Sequence, residues 1–429
     1  MPGADEPVID FSGYVAERTE GFGGRDWILL AIDEWLADPA SGPIFLLTGE
    51  PGAGKSALAG HLALISNGAV PAPDGAGSLR AGFLGAVHFC SARDLRWITP
   101  SVFAKSLARQ LSERYASYAL ALLQDAAPRI NVRQEVGQNW GRMVAVEINT
   151  LEVNAGHHED LFDRIVRAPL EALARDQLTA QVTILVDALD ESLASRERPT
   201  IAELVANAEG LPETVRFVVT CRPRSELIRS LQRRSRRQYT LSPRRADDGG
   251  PPDEYALVLR DVQDHVERML RDQALSGRLA AGLAPAQFVA AIRDKSEGNF
   301  LYVRYLLRMM LDRPGSITLE SIAAVPTGLD DIYFEYMRRL DPAGPQAWHG
   351  EYGKVLGILA VAQAPLSEDQ IAAIAVLSPA VIRGALHKLR EVLEADEGRP
   401  ASQREYSLYH RSLADFLLDR DRAEDYWLD

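Results

Sequence analysis

Between Gly49 and Ser56 the chain reads GEPGAGKS, a glycine-spaced loop that closes on a lysine and a hydroxyl. These residue types at this spacing suit one kind of chemistry. Glycine at the turning points lets successive backbone N–H groups converge on one anion. The Lys55 ammonium can reach the outer phosphates of a nucleotide, and the Ser56 hydroxyl can ligate Mg²⁺. The run matches G-x-x-x-x-G-K-[ST] in full. Gly49, Glu50, Pro51, Gly52, Ala53, Gly54, Lys55, Ser56 and the following Ala57 are therefore the expected nucleotide-binding residues. The expected cofactors are ATP or ADP with Mg²⁺.

Two downstream runs complete the set. TILVDALDES is an apolar run that ends in acids. Asp187 is expected to hold Mg²⁺, directly or through water. Small Ala188 follows, and then Asp190 and Glu191, one of which could polarise an attacking water if hydrolysis occurs. Glu191 is the first choice of catalytic base and Asp190 the second. RFVVTCRPR reads as a strand ending in Thr220, Cys221, Arg222 and Pro223. Ligands of open α/β sheets bind at the carboxyl ends of strands, and a guanidinium there can pair with a terminal phosphate. Arg222 is thus a candidate γ-phosphate sensor. The bland alternatives are a solvated acidic strand end and a surface arginine, and three such motifs in one chain weigh against both.

Positioning these groups requires particular elements. GPIFLLTG reads as a central parallel strand and SALAGHLALIS as the helix behind the loop, its positive dipole end facing the phosphates. LGAVHFCSA (Leu84 to Ala92) reads as a second strand, and PSVFAKSLARQLSERY as a helix begun by Pro100. HEDLFDRIVRAPLEALARD reads as an amphipathic helix, QVTILVDALDES and ETVRFVVTCRPR as two more strands. Strands alternating with helices predict an α/β P-loop core, a parallel sheet with helices on both faces. Residues 118 to 155 lack clear periodicity. After the linker-like RRADDGGPPDEY (Arg244 to Tyr255) the pattern turns helical, through ALVLRDVQDHVERMLRD, PAQFVAAIRDKSEG and NFLYVRYLLRMMLDR. A second break falls at AAVPTGLDD (Ala323 to Asp331). Beyond it, SEDQIAAIAVL and SPAVIRGALHKLREVL have the form of the helix-turn-helix in a winged-helix unit, and REYSLYHRSLADFLLD would be its strand and closing helix. The expected division is a leader of little structure (1–20), a nucleotide-binding domain (21–245), an all-α helical domain (246–322) and a winged-helix domain (323–429).

Bulk properties narrow the function. The chain has 429 residues, 46% hydrophobic and 25% charged, which suits a globular protein of about three domains. A net charge of −13 argues against broad nucleic-acid binding. The basic run RSLQRRSRR (Arg229 to Arg237) reads first as a solvated helix face or helix end, with contact to a phosphate or an acidic partner as the lesser reading. No apolar run reaches the roughly 18 residues of a membrane helix, and the acidic start MPGADEPVIDFSG lacks the form of a secretory signal. A cytoplasmic location with no membrane partner is expected. Cys90 and Cys221 read as buried reduced thiols. His88 and the pair His157-His158 read as core or surface residues rather than metal ligands. The aromatic and methionine stripe of NFLYVRYLLRMM reads as helix packing.

Taken together, LLTGEPGAGKSAL, ILVDALDES and FVVTCRPR resemble the NACHT branch of the STAND signalling NTPases. A small residue after the Mg²⁺ aspartate, then two acids after one spacer, is that branch's variation. GFGGRDWIL resembles the segment that covers the adenine side, which adds Gly24 and Arg25 to the nucleotide-binding residues. EGNFLYVRYLL resembles the helical-domain motif of bacterial NACHT proteins with repeat sensors, and VPTGLDDIYFEYMRRL and YSLYHRSLADFLL resemble their winged-helix segment. The resemblance implies that His410 reaches the β-phosphate of bound ADP and holds a closed state. Read from its surroundings alone, a histidine between a strand and a helix is more often structural.

The resemblance further implies a slow ATPase that opens and self-associates when ATP replaces ADP, in bacterial immune (anti-phage) or stress signalling. Such proteins usually carry an effector before the NTPase and a repeat sensor after it, so sensor and effector partners are expected outside this chain. Two other readings stay open. One is a steady-turnover ATPase working as a remodelling machine, to which RSLQRRSRR could offer an arginine finger. The other is a DNA-binding regulator acting through the winged helix. The acidic balance, and EADEG after PAVIRGALHKLREVL, count against the latter.

Overall fold

Runs rich in β-branched and aromatic residues form the strands of the chain's first half, as their fit to a pleated buried surface requires. The computed structural model describes residues 9–125, 130–133, 147–151, 161–176, 181–208, 210–223, 225–235, 237–241, 252–312, 315–340, 348, 350–390, 392–395 and 404–428. Contacts divide the chain into two units, Met1–Glu50 with Lys55–Leu241, and Pro51–Gly54 with Ser242–Asp429.

The strands of the first unit are β1 (Ile44–Thr48), β2 (Leu84–Phe89), β3 (Ile130–Arg133), β4 (Glu147–Leu151), β5 (Val182–Asp187), β6 (Val215–Cys221) and β7 (Arg237–Thr240). β3 and β4 pair antiparallel with each other. The other five form a parallel sheet in the order β2-β5-β6-β1-β7. β1, β5 and β6 are buried along their whole lengths, as parallel strands covered on both faces must be. β7 was not legible in the sequence. RQYT is short and polar, and it becomes a strand by registering against β1, from Phe45↔Arg237 to Thr48↔Thr240.

Around the sheet lie α1 (Ser12–Thr19), α2 (Asp26–Ala37), α3 (Lys55–Ser66), α4 (Pro100–Arg114), α5 (Ala116–Asp125), α6 (Ala168–Asp176), α7 (Ile201–Ala206) and α8 (Ser225–Gln232). Pro100 stands in the first turn of α4, where its missing N–H costs nothing. Thr200 and Glu203 close a capping box on α7. The amphipathic run before β5 begins as a π-helical turn, Asp163–Arg167, and continues as α6. The basic run from Arg229 starts on α8, whose helix ends at Gln232.

The expectation that residues 1–20 have little structure is corrected by α1. SGYVAERT is too short and polar to hold a helix alone; docking supplies what propensity lacks. Phe11 and Val15 are buried. A Cβ at Gly60 of α3 would lie 2.9 Å from Thr19 Cγ2, so the missing side chain is what lets α1 approach.

His88, on β2, is a core residue: fully buried, its Nε2 bonded to the Trp97 carbonyl at 2.9 Å, its ring edge-on to Phe103. Burial pushes its pKa down to about 4. An unfolded histidine, near 6.5, takes its proton first as pH falls. Stability is therefore whole above about pH 6.5 and declines toward pH 4, by about 3 kcal/mol in all. Thermal melts of the parent and of His88→Gln between pH 7 and 4 check this: the variant's curve should be flatter. Cys90 and Cys221 are both free and buried, and burial raises both thiols. His157 and His158 lie outside the described residues.

The second unit is mostly helical. It runs through α9 (Pro252–Met269), α10 (Gln273–Ser276), α11 (Pro285–Ser296), α12 (Phe300–Asp312), α13 (Leu319–Ala323), α14 (Leu329–Leu340) and α15 (Glu351–Val361). There follow β8 (Leu366–Ser367), α16 (Glu368–Ala375), α17 (Pro379–Leu389), β9 (Leu393–Ala395), β10 (Glu405–Leu408), α18 (Arg411–Leu417) and α19 (Arg420–Ala423). Tyr302, Leu306 and Met310 of α12 share one core with Tyr333, Trp348, Leu386 and Phe416. The stripe in NFLYVRYLLRMM is thus helix packing. α16 and α17, each capped by a serine side chain (Ser367, Ser378), meet at a bend of 112°. β8, β10 and β9 form a three-stranded antiparallel sheet in that order. Among the described residues no single helix is long and apolar enough to cross a membrane.

Candidate nucleotide site

β1 ends at Thr48 and α3 starts at Lys55, so Gly49–Gly54 turns at the carboxyl edge of the sheet. Gly52 and Gly54 adopt φ of +83° and +87°, a left-handed backbone that glycine takes without strain. Gly52 is also tightly enclosed: a Cβ there would collide with Asn299 Oδ1 and lie 2.5 Å from Leu301 Cβ. Pro51–Gly54 groups with the second unit. There the Asn299 side-chain amide donates to the Pro51 carbonyl at 3.0 Å, and the Phe300 N–H donates to the Gly52 carbonyl at 3.1 Å.

Lys55 donates from Nζ to the carbonyls of Gly49, at 2.5 Å, and Glu50, at 3.1 Å. The ammonium is thus folded over the loop it follows. Burial lowers its pKa, and Asp190, acting against burial, raises it.

Strand register fixes the acids. Val186 of β5 lies opposite Val219 of β6, so the next step brings Asp187 beside Thr220. The Thr220 hydroxyl donates to Asp187 Oδ1 at 2.5 Å and accepts from the Ala188 N–H at 2.8 Å. Asp187 is fully buried, and burial raises its pKa; the Thr220 and Ser56 hydroxyls and then Lys55 pull it down. Its Oδ2 has no hydrogen-bond partner among the described residues. Ala188 adopts φ +51°, in the left-handed region, and the chain then enters the 3₁₀ turn Leu189–Ala194. A small residue limits the strain of that turn.

The turn separates the two remaining acids. Asp190, 4% exposed, accepts from the Arg222 N–H at 3.0 Å and pairs with the Arg222 guanidinium at 3.5 Å. Glu191 accepts from the Ala92 N–H at 2.8 Å, beyond the end of β2.

The structure therefore gathers Lys55, Ser56, Asp187, Asp190, Glu191 and Arg222 around the carboxyl ends of β1, β5 and β6. Gly24, at φ +78°, and Arg25, at φ +68°, form the turn into α2, where Arg25 is 2% exposed and its carbonyl accepts from the Ile28 and Leu29 N–H groups. His410 belongs to the second unit, where it caps α18. Its Nδ1 accepts from the Ser412 N–H at 3.1 Å, so in the neutral ring the proton is on Nε2. Thr220 and the Ala92 N–H were not marked as site residues by the sequence. Thr220 sits inside the RFVVTCRPR run; a backbone N–H carries no local signal.

These residues fit a magnesium nucleotide. The loop is closed to any side chain at Gly52, Lys55 bonds the carbonyls at its start, and one buried oxygen of Asp187 has no hydrogen-bond partner among the described residues. Gly49–Gly54 and Lys55 would hold the phosphates, and Ser56 and Asp187 the cation. When bound, Mg²⁺ would neutralise charge on the phosphates.

Fold and site together define a P-loop nucleoside-triphosphate-binding core. Residues 23–222, just under half of the chain, match the sequence profile of the family described as Nephrocystin 3, N-terminal. Among solved structures, an ORC1 protein of Aeropyrum pernix in complex with DNA is 16% identical with a TM-score of 0.35, over 92% of this chain and 91% of that one. A Walker-type ATPase of Pyrococcus abyssi is 15% identical with a TM-score of 0.37, over 93% and 96%. Both likenesses are remote. No curated protein matches the chain by sequence.

Proposed function

We propose that this chain is the nucleotide-operated switch of a NACHT-type STAND protein, closed with ADP and self-associating once ATP replaces it. The observation that carries this is the engagement of the two acids behind Asp187. Asp190 holds Arg222 by both backbone and guanidinium, and Glu191 accepts a backbone N–H. A guanidinium that must leave Asp190 to meet a γ-phosphate discriminates ATP from ADP. A carboxylate already accepting a hydrogen bond is a poorly prepared base, which suits slow hydrolysis by Glu191 or Asp190.

The energies are of the right size. A full flip between two states takes about 5.5 kcal/mol of differential binding. Truncating one side of a desolvated charge contact costs about 2–5 kcal/mol, part of it the net worth of the contact. Arg222 on the γ-phosphate of ATP and His410 on the β-phosphate of ADP, through its Nε2–H, would each favour one state. In this reading residues 21–245 are the nucleotide-binding domain, 246–322 the helical domain and 323–429 a winged-helix domain. The bent helix pair and three-stranded sheet support that last assignment. Sensor and effector partners, a cytoplasmic setting and a role in bacterial defence complete the proposal.

The test is the nucleotide content of the purified protein, released by denaturation and separated by anion exchange. Near-stoichiometric ADP is expected, and His410→Ala should lose ADP and self-associate. An empty site with fast turnover of added ATP would replace the switch by a steady ATPase. Unchanged ADP content and oligomeric state in His410→Ala would leave that histidine a helix cap only.

A further inference from the structure

Helix N-caps are ordinarily serine, threonine, aspartate or asparagine, and α18 has a histidine instead. The His410 Nδ1 accepts from the Ser412 N–H at 3.1 Å, and the same nitrogen lies 2.8 Å from the Ser412 hydroxyl. That hydroxyl in turn lies 2.7 Å from the hydroxyl of Tyr333, which comes from α14, 79 residues earlier. Ser412 and Tyr333 are each 1% exposed. The Tyr333 ring packs edge-on to Tyr305 and tilted against Phe416, at 5.6 and 5.4 Å. One fact fixes the direction of every bond in this chain: a backbone N–H can only donate. Nδ1 therefore carries no proton and must also accept from the Ser412 hydroxyl. That hydroxyl has one proton, now spent, so it accepts from Tyr333. Burial pushes the Tyr333 phenol well above its ordinary value, so it keeps the proton that it donates.

We infer that Tyr333 and Ser412 are positioning residues for His410: their two hydroxyls hold its ring in one orientation and in the tautomer with the proton on Nε2, a fixed donor to an anionic oxygen. This rests on the switch reading, in which that oxygen belongs to the β-phosphate of ADP, and deepens it. Which imidazole nitrogen carries the proton is set by the bond that the other makes. A helix cap needs only Nδ1 and the Ser412 N–H. The two hydroxyls bring a second bond to the same nitrogen and tie it to a ring packed on two aromatics. Phenylalanine would fill the place beside Tyr305 and Phe416 equally well; the hydroxyl is what tyrosine adds. A donor that is already oriented loses less freedom when its ligand arrives.

The experiment uses the full chain labelled with nitrogen-15 histidine. The proteins are the parent, Tyr333→Phe, the pair Tyr333→Phe/Ser412→Ala, and His410→Ala with and without that pair. The signal missing from His410→Ala assigns His410. The pair removes both members of the Tyr333–Ser412 bond together, and phenylalanine keeps both ring contacts, so the fold is retained. Imidazole nitrogen shifts of the parent should show His410 as the Nε2–H tautomer alone. In the paired variant the Nδ1–H tautomer should become measurable, and the Kd for a fluorescent ADP analogue should rise about fivefold, the equivalent of one hydrogen bond. Tyr333→Phe alone should lie between the two. Once His410 is alanine, the pair should change the Kd no further. Parent-like His410 shifts in the paired variant overturn the inference. So does an equal loss of ADP affinity in the His410→Ala background, which would mean that the hydroxyls act through packing. Parent-like ADP affinity in His410→Ala itself would instead remove the phosphate reading of His410, with the shifts still deciding its tautomer.

Discussion

Lys55→Ala is expected to abolish measurable ADP and ATP binding without destabilising the fold. The ammonium sits over the Gly49 and Glu50 carbonyls, in surroundings that lower its pKa, which means that the folded chain holds this charge at a cost. A charge kept against desolvation contributes most to the ligand that neutralises it. Removing one side of a desolvated charge contact costs about 2–5 kcal/mol, on the order of 30- to 4,000-fold in affinity. On the folding side the same substitution relieves the desolvation, so the melting temperature of the nucleotide-free protein should hold or rise. Calorimetric titration with ADP and a thermal melt check both halves. Parent-like affinity would remove the P-loop assignment.

Asp187→Asn is expected to remove the Mg²⁺ dependence of nucleotide binding and to make the nucleotide-free protein more stable. Burial raises the pKa of this carboxyl. As pH rises, the unfolded chain gives up this proton before the folded chain does, so stability is whole below the unfolded value and declines as pH passes through the folded one. At neutral pH an ionised Asp187 is a net cost to the fold. Asparagine has the same shape, and its carbonyl can still accept from Thr220, whose bond to Asp187 is 2.5 Å long. The expected outcome is a higher melting temperature than the parent's. Mg²⁺ should then no longer change ADP affinity. A lower melting temperature would show that the carboxylate, not its neutral form, holds this corner together. The two variants together describe a site that is expensive to fold and justified by what it binds.

Much of the site lies in contiguous runs, and the reason is physical. A phosphate cradle is made of successive backbone N–H groups, so its residues must be neighbours, and GEPGAGKS spells it out from Gly49 to Ser56. Asp187 and Arg222 were legible for a related reason: a strand buried on both faces must be apolar along its length, which makes the polar residue at its end conspicuous. α1 and β7 were not legible. SGYVAERT and RQYT are short, largely polar segments, and each is stabilised by the element it docks on rather than by its own pattern.

The sequence by itself determined the chemistry on offer: a glycine loop closing on a lysine and a hydroxyl, an aspartate at the end of a buried strand, two acids behind it and an arginine at another strand end. Only the tertiary structure decided which of these groups meet. Thr220 reaches Asp187 across 33 residues, and Glu191 reaches the Ala92 N–H across 99. Tyr14 comes to Phe89 and Trp97 on a helix that the hydrophobic pattern does not announce. These pairings follow from strand register and helix docking, which are set by packing between segments far apart in the chain. Periodicity tells which face of a strand is buried; it does not tell which strand lies beside it.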